Sequence, residues 1–304
     1  MSLDRDLEIT QAAFLRAEQT YSRTIARAFA DALNDIRAQM SKIYEKYAEN
    51  GVLTKAQMSQ YGRLAAMEEY LASQISAATN KAVSVINRLK PEQYGEAFAR
   101  NAWALDNATG VSIKWGLLNK DTVIANLMNP AYENAIKTLK AEAIGKVKIA
   151  IEQGLTGGKS YATMIKEIKN EINVQAYKAL RIMRTELHTA QEAGTLLAYE
   201  RAQEQGIEGQ VIWMATLDDR TRDTHQDMDG QPRGDDGYFD GPGDSYARFP
   251  GDPELPPEER INCRCTLRYE VSGLAPIVRR DRESGVIPYQ TFNEWSTDRK
   301  IFKE

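Results

Sequence analysis

Through the first part of the chain, apolar residues recur at intervals of three, four or seven. Phe14, Tyr21, Ile25, Phe29, Leu33, Ile36, Met40, Ile43 and Tyr47 share one stripe of a helix that no proline interrupts. The glycine of "ENGVL", Glu49–Leu53, supplies a stop. "TKAQ", Thr54–Gln57, has the capping-box spacing, in which a hydroxyl and a Gln side chain satisfy free amides at a helix start. Met58, Tyr61, Leu64, Met67, Leu71, Ile75, Ala78, Ala82 and Val85 continue that second helix to Lys90-Pro91, where the proline is expected to end it. Two helices of about 35 residues predict an antiparallel hairpin roughly 50 Å long. Such a hairpin has too little core to stand alone and needs further helices, from this chain or a partner.

From Glu92 to about Gln205 the pattern stays helical in shorter pieces, broken at "NATG", at Asn129-Pro130 and at "GLTGGKS", Gly154–Ser160. The last of these is not a phosphate-binding loop. Gln153 stands where the first glycine is required, and a helical run rather than a strand precedes it. It reads instead as a helix stop and a fresh start. In the helix that follows, Arg184 and His188, Thr185 and Thr189, and His188 and Glu192 are four apart, which predicts a polar ridge. Leu180, Met183, Leu187 and Leu197 are expected to supply the buried face on the other side.

After "QGIEG" the period changes. Gln210–Leu217 alternates Val211, Trp213 and Ala215 against the opposite face and reads as a strand, as does Cys265–Val271. The roughly 45 residues between them hold six of the ten prolines and no hydrophobic period. That is far beyond the ~12–15 residues usual for an unstructured connection. The loop is therefore either disordered or held by something other than a hydrophobic core. The expected fold is α+β and predominantly helical. It has a long N-terminal helical hairpin or bundle (1–110), a helical linker entering a C-terminal module (111–208), strands around an acidic Pro/Gly-rich loop (209–271), and a tail (272–304).

Charge sharpens this division. The chain of 304 residues has a formal net charge of −4, yet Gly209–Cys265 alone carries thirteen Asp/Glu against six Arg. Asn134–Arg184 holds ten Lys/Arg and four Glu, a candidate footprint for nucleic acid or an acidic partner, or else a set of solvated helix faces. No apolar run of about 18 residues is present to span a membrane. The acidic N-terminus lacks the apolar core of a secretory signal, so a reducing compartment is expected.

Candidate chemistry gathers at the two ends of the loop. The chain has two histidines and two cysteines, and "DDRTRDTHQDMDGQ", Asp218–Gln231, with "INCRC", Ile261–Cys265, holds three of the four. His225, Cys263 and Cys265 offer an imidazole and two thiolates, a set that suits zinc. Metal binding would supply folding energy to a loop without a core. His188, Asp219, Asp223 and Asp229, or water, are candidates for a fourth ligand. The bland alternative is a pair of buried thiols and a hydrogen-bonded histidine. Asp218, Asp219, Thr221 and Thr224 also suit side-chain turns and caps, Arg220 and Arg222 suit pairing with nearby acids, and Asp229-Gly230 suits a turn. An enzyme would use a zinc-bound water with Glu186 or Asp219 as base.

"RTELHTA" on a helix, then W-x-A-x-x-D-D-R-T-R-x-x-H-x-x-x-x-G, then "FPGDP" and "NCRC" entering a strand, resembles the phage Mu-type minor head protein family, or phage head morphogenesis domain. The residues that carry it are Arg184, Thr185, Glu186, Trp213, Asp219, Arg220, Thr221, Arg222, His225, Gly230, Phe249, Pro250, Pro253, Asn262, Cys263, Arg264 and Cys265, within about 144–271. The resemblance implies a non-enzymatic minor capsid protein inside the virion, made in the host cytoplasm and bound to the portal or major capsid protein. It also implies a part in head morphogenesis and in packaging or ejection of double-stranded DNA, with self-association around the portal as an option. Some longer relatives carry a toxin domain after the shared module. The rival, read apart from that domain, is a metal-dependent hydrolase, nuclease or transferase effector carried in the head. The tail "FNEWSTDRKIFKE" reads as a docking segment or flexible end.

Overall fold

A computed structural model describes residues 3–119, 123, 125, 127–241, 245–273, 278–281, 284–290 and 294. Its elements in chain order are α1 (Leu3–Tyr47), α2 (Lys55–Ser59), α3 (Arg63–Thr109), α4 (Pro130–Thr156), α5 (Tyr161–Glu204), β1 (Gly209–Met214), α6 (Asp223–Asp227), β2 (Phe239–Asp240), β3 (Tyr246–Ala247), α7 (Pro257–Arg260), β4 (Thr266–Val271), β5 (Val278–Asp281) and β6 (Gly285–Pro288). The chain is predominantly helical with small antiparallel sheets, as the sequence pattern predicts. No helix among the described residues is long and apolar enough to cross a membrane.

The chain divides into two compact units. One comprises Glu18–Asn87 and Pro130–Met183; the other comprises Met1–Ala17, Arg88–Asn129 and Arg184–Glu304. In the first, the apolar stripe of α1 buries Ile25, Phe29, Ile36, Met40 and Tyr44, and α3 buries Met67, Leu71, Ile75, Ala82 and Val85. The further helices the hairpin requires come from this chain. Phe29, Ile75, Val147 and Ile172, one from each of α1, α3, α4 and α5, line the same small gap. Between α4 and α5 the "GLTGGKS" segment is a stop and restart: Lys159 N–H donates to Gly154 O at 2.9 Å, and Ser160 Oγ accepts from Thr163 N–H.

The second predicted helix differs from expectation at both ends. The Thr54 capping box forms, with Thr54 Oγ1 and the Gln57 side chain bonded reciprocally. The helix it starts is only five residues long. Tyr61 and Gly62, at φ 54° and 67°, break it before α3 begins, and this leaves Tyr61 91% exposed rather than in the stripe. At the other end Pro91 does not terminate α3, which runs on to Thr109. Burial of Ile86, Leu89, Tyr94, Ala97 and Phe98 around the proline outweighs the roughly 3 kcal/mol that a helical proline costs.

In the second unit, β1 and β4 pair antiparallel from Gly209↔Val271 to Met214↔Thr266. The other edge of β1 is paired too. Trp213 N–H donates to Gln231 O, Gly230 N–H to Trp213 O, and Arg233 N–H to Val211 O. Both faces of β1 are buried, so the expected alternation of buried and exposed positions gives way to a continuous buried run at Val211–Ala215. The described residues of the long loop are ordered around a core of their own. The loop's Met228, Phe239, Ala247, Phe249 and Leu255 join Trp213, Tyr199, Leu267 and Tyr269 in one apolar cluster.

Helix α5 likewise lacks an outward polar ridge in this unit. Thr185, Glu186, Thr189, Gln191 and Glu192 are buried, whereas Leu197 here, and Leu180 in the helical unit, are only partly so. The close approach of α3 and α5 explains part of this. A Cβ on Gly194 would lie 2.2 Å from Tyr94 O, so the helices touch backbone to backbone there. Of the tail, β5 and β6 form a hairpin, and "FNEWSTDRKIFKE" lies outside the described residues apart from Glu294.

Candidate functional site

The loop folds back so that its ends meet beneath β1. Arg222, in extended conformation, precedes the single turn of α6, and its guanidinium donates to the carbonyls of Glu259 and Ile261 at the far end of the loop. Asn262 then takes a left-handed conformation at φ 59°, with its N–H donating to Thr185 Oγ1 on α5. This turn aims Cys263 and Cys265 inward, toward His225 on α6.

The three residues of the sequence-derived cluster come together. His225, Cys263 and Cys265 are all buried, and their potential ligand atoms lie within 4.8 Å of one another. His225 Nδ1 is 3.3 Å from Cys265 Sγ and 3.7 Å from Cys263 Sγ. Both cysteines are free thiols. The other ring nitrogen, Nε2, is 3.0 Å from Glu259 Oε2, without the alignment of a hydrogen bond. Thr224 Oγ1 donates to the same carboxylate oxygen. The Trp213 ring meets the imidazole edge-on at a centroid distance of 5.7 Å.

The two thiols diverge. The hydrogen bond to Cys265, reinforced by burial, pushes the Cys263 thiol well above the ordinary range. Burial opposes ionisation of Cys265 as well, but hydrogen bonds with Cys263 and His225 hold it well below.

None of the four candidates for a further ligand joins this cluster among the described residues. Asp219 and Asp223 are exposed. Asp229 is taken up by Arg279, at 2.6 Å, and by Ala215 N–H, at 2.7 Å. His188 is half-buried, with its Nε2 shielded and unbonded. Burial first, then the neighbouring His225 and Arg264, lowers its pKa to about 4.

The remaining motif residues are braces. Arg264 pairs with Asp218 through both its terminal nitrogens. Thr221 Oγ1 donates to Thr216 O, Arg220 reaches Asp218 at 3.7 Å, and Gly230 takes φ 79° in the turn that returns to β1. Arg184 is exposed. Buried Glu186 is enclosed by Lys90 at 2.7 Å, Asn129 at 2.9 Å and Arg260 at 3.1 Å. With both carboxylate oxygens so engaged, it is poorly placed to act as a base.

Sequence reasoning missed Glu259, Lys90, Arg260 and Arg279. Glu259 and Arg260 lie in "PPEER", where nothing in the spacing separates them from solvated charges. Glu192 was seen only as a ridge residue. It accepts from Leu267 N–H at 2.8 Å, and burial pushes its pKa up to about 8.

The sequence is similar to those of known proteins. A family model described as phage Mu protein F like protein matches residues 145–268, which span the motif from Arg184 to Cys265. Minor head protein GP7 of Bacillus phage SPP1 is 30% identical over 286 residues, covering 91% of this chain and 92% of that protein. The chain belongs to the phage Mu protein F-like family. A protein of Enterococcus faecalis named NAD(+)–arginine ADP-ribosyltransferase EFV is also 30% identical, over 92% of this chain, but the chain spans only 58% of its length. An uncharacterized protein of Haemophilus influenzae is 24% identical, and the chain spans 60% of it. No solved structure matches. The matched stretch takes in the end of α4, all of α5, β1, both loop ends and the start of β4.

Proposed function

We propose that the protein is a minor component of a phage head, bound to the portal or the inner face of the capsid, and acts in head morphogenesis. The observation that carries this reading is its likeness to a minor head protein over nine-tenths of both chains. The likeness takes in the long helices as well as the family module. Those helices offer an extended scaffold for a capsid partner, and the exposed lysines of α4 and α5, Lys137, Lys146, Lys166 and Lys169, suit packaged double-stranded DNA. Self-association around the portal fits the same reading. Inside a capsid a protein needs a durable fold more than a turnover site, and the residues around the loop ends are bonded to one another rather than to an open cleft.

The test is quantitative mass spectrometry of purified virions with cross-linking. The expected result is a few copies per particle, cross-linked to portal or major capsid protein. Absence from intact heads overturns the reading.

A second reading, a transferase effector carried in the head, draws on the Enterococcus relative's name. The chain spans little over half of that protein, and a named activity of the whole need not reside in the shared part. Labelled NAD with host extract and arginine-rich acceptors decides it: transfer of label that His225→Ala abolishes would favour the effector.

A further inference from the structure

We propose that His225, Cys263 and Cys265 bind one zinc ion, with His225 ligating through Nδ1, and that the ion fastens the two ends of the loop. The spacing of the donors is the first support. Zn–S bonds of about 2.3 Å and a Zn–N bond of about 2.0–2.1 Å at tetrahedral angles place nitrogen and sulfur roughly 3.6 Å apart. The distances from Nδ1 to the two sulfurs are 3.3 and 3.7 Å, so a metal enters the cluster with shifts of a few tenths of an ångström.

The surroundings are the second support. A ligating imidazole nearly always directs its other nitrogen at a carboxylate, carbonyl or water, which fixes the tautomer and the ring. Glu259 stands 3.0 Å from Nε2, itself held by Thr224, and the Trp213 ring closes one side. Both cysteines and His225 are no more than 5% exposed, which suits a structural ion and leaves no approach for a substrate.

Charge is the third. Two thiolates and a neutral imidazole around Zn²⁺ make a site of zero net charge, whereas two buried thiolates alone would repel each other at high cost. On binding, each cysteine still protonated releases its proton to solvent and forms one Zn–S bond. Protein supplies three ligands, and water or a shifted His188 completes the tetrahedron. His188 Nε2 is shielded and lacks a hydrogen-bond partner.

The experiment uses the full chain, purified without chelator and exposed to zinc chloride, then desalted and analysed for metal. One zinc per chain is expected for wild type and for Arg184→Ala, whose exposed side chain lies outside the cluster. Cys263→Ser and His225→Ala should hold less than a tenth of that, while Glu259→Gln should keep the stoichiometry with affinity lower by about 10–100-fold. Because a cysteine variant that misfolds would also lose metal, X-ray absorption on wild type supplies the independent measurement: two sulfur and one or two nitrogen neighbours at the distances above. Negligible zinc in wild type, a shell of oxygen and nitrogen only, or equal zinc in wild type and both ligand variants overturns the proposal.

Discussion

Glu192 shows how one buried side chain couples stability to pH. It lies 1% exposed on α5, accepts from the Leu267 amide that opens β4, and also receives the Gln191 side-chain amide. Burial raises its pKa from an ordinary 4.5 to about 8, with the nearby Cys265 charge adding to the rise and the Leu267 bond opposing it. The folded chain therefore keeps a proton that the unfolded chain loses between those values. Its contribution to stability is complete below pH 4.5 and disappears as pH rises through about 8. Chemical denaturation at a series of pH values should show this decline in wild type and a flatter profile in Glu192→Gln. An identical decline in both would assign the pH dependence to other groups. Glu192 was visible in the sequence only as a member of a polar ridge. Its burial follows from β4 returning to cover α5, which no local pattern encodes.

Helix packing gives the next scale, and two glycines separate packing from propensity. Gly194 of α5 sits where α3 crosses, and an added methyl would meet the Tyr94 carbonyl, which is backbone and cannot swing aside. Gly145 of α4 has nothing within 4 Å of the corresponding position. Gly194→Ala is expected to lower stability by about 1–3 kcal/mol or more through overpacking. Gly145→Ala should raise it by roughly 0.4–1 kcal/mol, because it restricts only the unfolded chain. Opposite shifts in urea midpoint at constant slope are the expected pair, and a Gly194→Ala variant as stable as wild type or more so would show that the α3–α5 contact is looser than the structure shows.

The same distinction explains which elements could be read in advance. The α1 stripe, the Thr54 capping box, the "GLTGGKS" restart and the β1–β4 strands are written in local period and punctuation. The break at Tyr61-Gly62 and the passage of α3 through Pro91 depend on what packs around them. Met228, Phe239, Phe249 and Leu255 have no period, so a loop with a real core looked coreless. In the candidate site the rarity of His and Cys sufficed to find the trio. Glu259 was hidden among thirteen acids of its region, because an acid facing His225 and an acid facing water look alike in sequence.

At the scale of the whole molecule the decisive feature is the separation of charge between the compact units. The acidic stretch Gly209–Cys265 belongs to the unit that carries the family motif, while residues 134–183 of the basic stretch belong to the helical unit. Part of that basic charge is neutralised internally. Lys148 meets Glu68 at 3.1 Å, Lys159 meets Glu167 at 2.7 Å, and Lys178 meets Glu142. Lys137, Lys146, Lys166 and Lys169 remain at the surface. If these lysines meet packaged DNA, binding should be independent of sequence and carried by phosphate contacts, and each contact contributes about 0.9 to the slope of log affinity against log salt. Fluorescence anisotropy with a random duplex should therefore show binding at low salt that falls steeply toward physiological salt. Replacing the four lysines with Glu should weaken binding and flatten the slope, by as much as about 4 if all four touch phosphate. An unchanged slope, or no binding by wild type even at low salt, would leave these lysines as solvated helix faces and confine the protein's contacts in the head to other proteins.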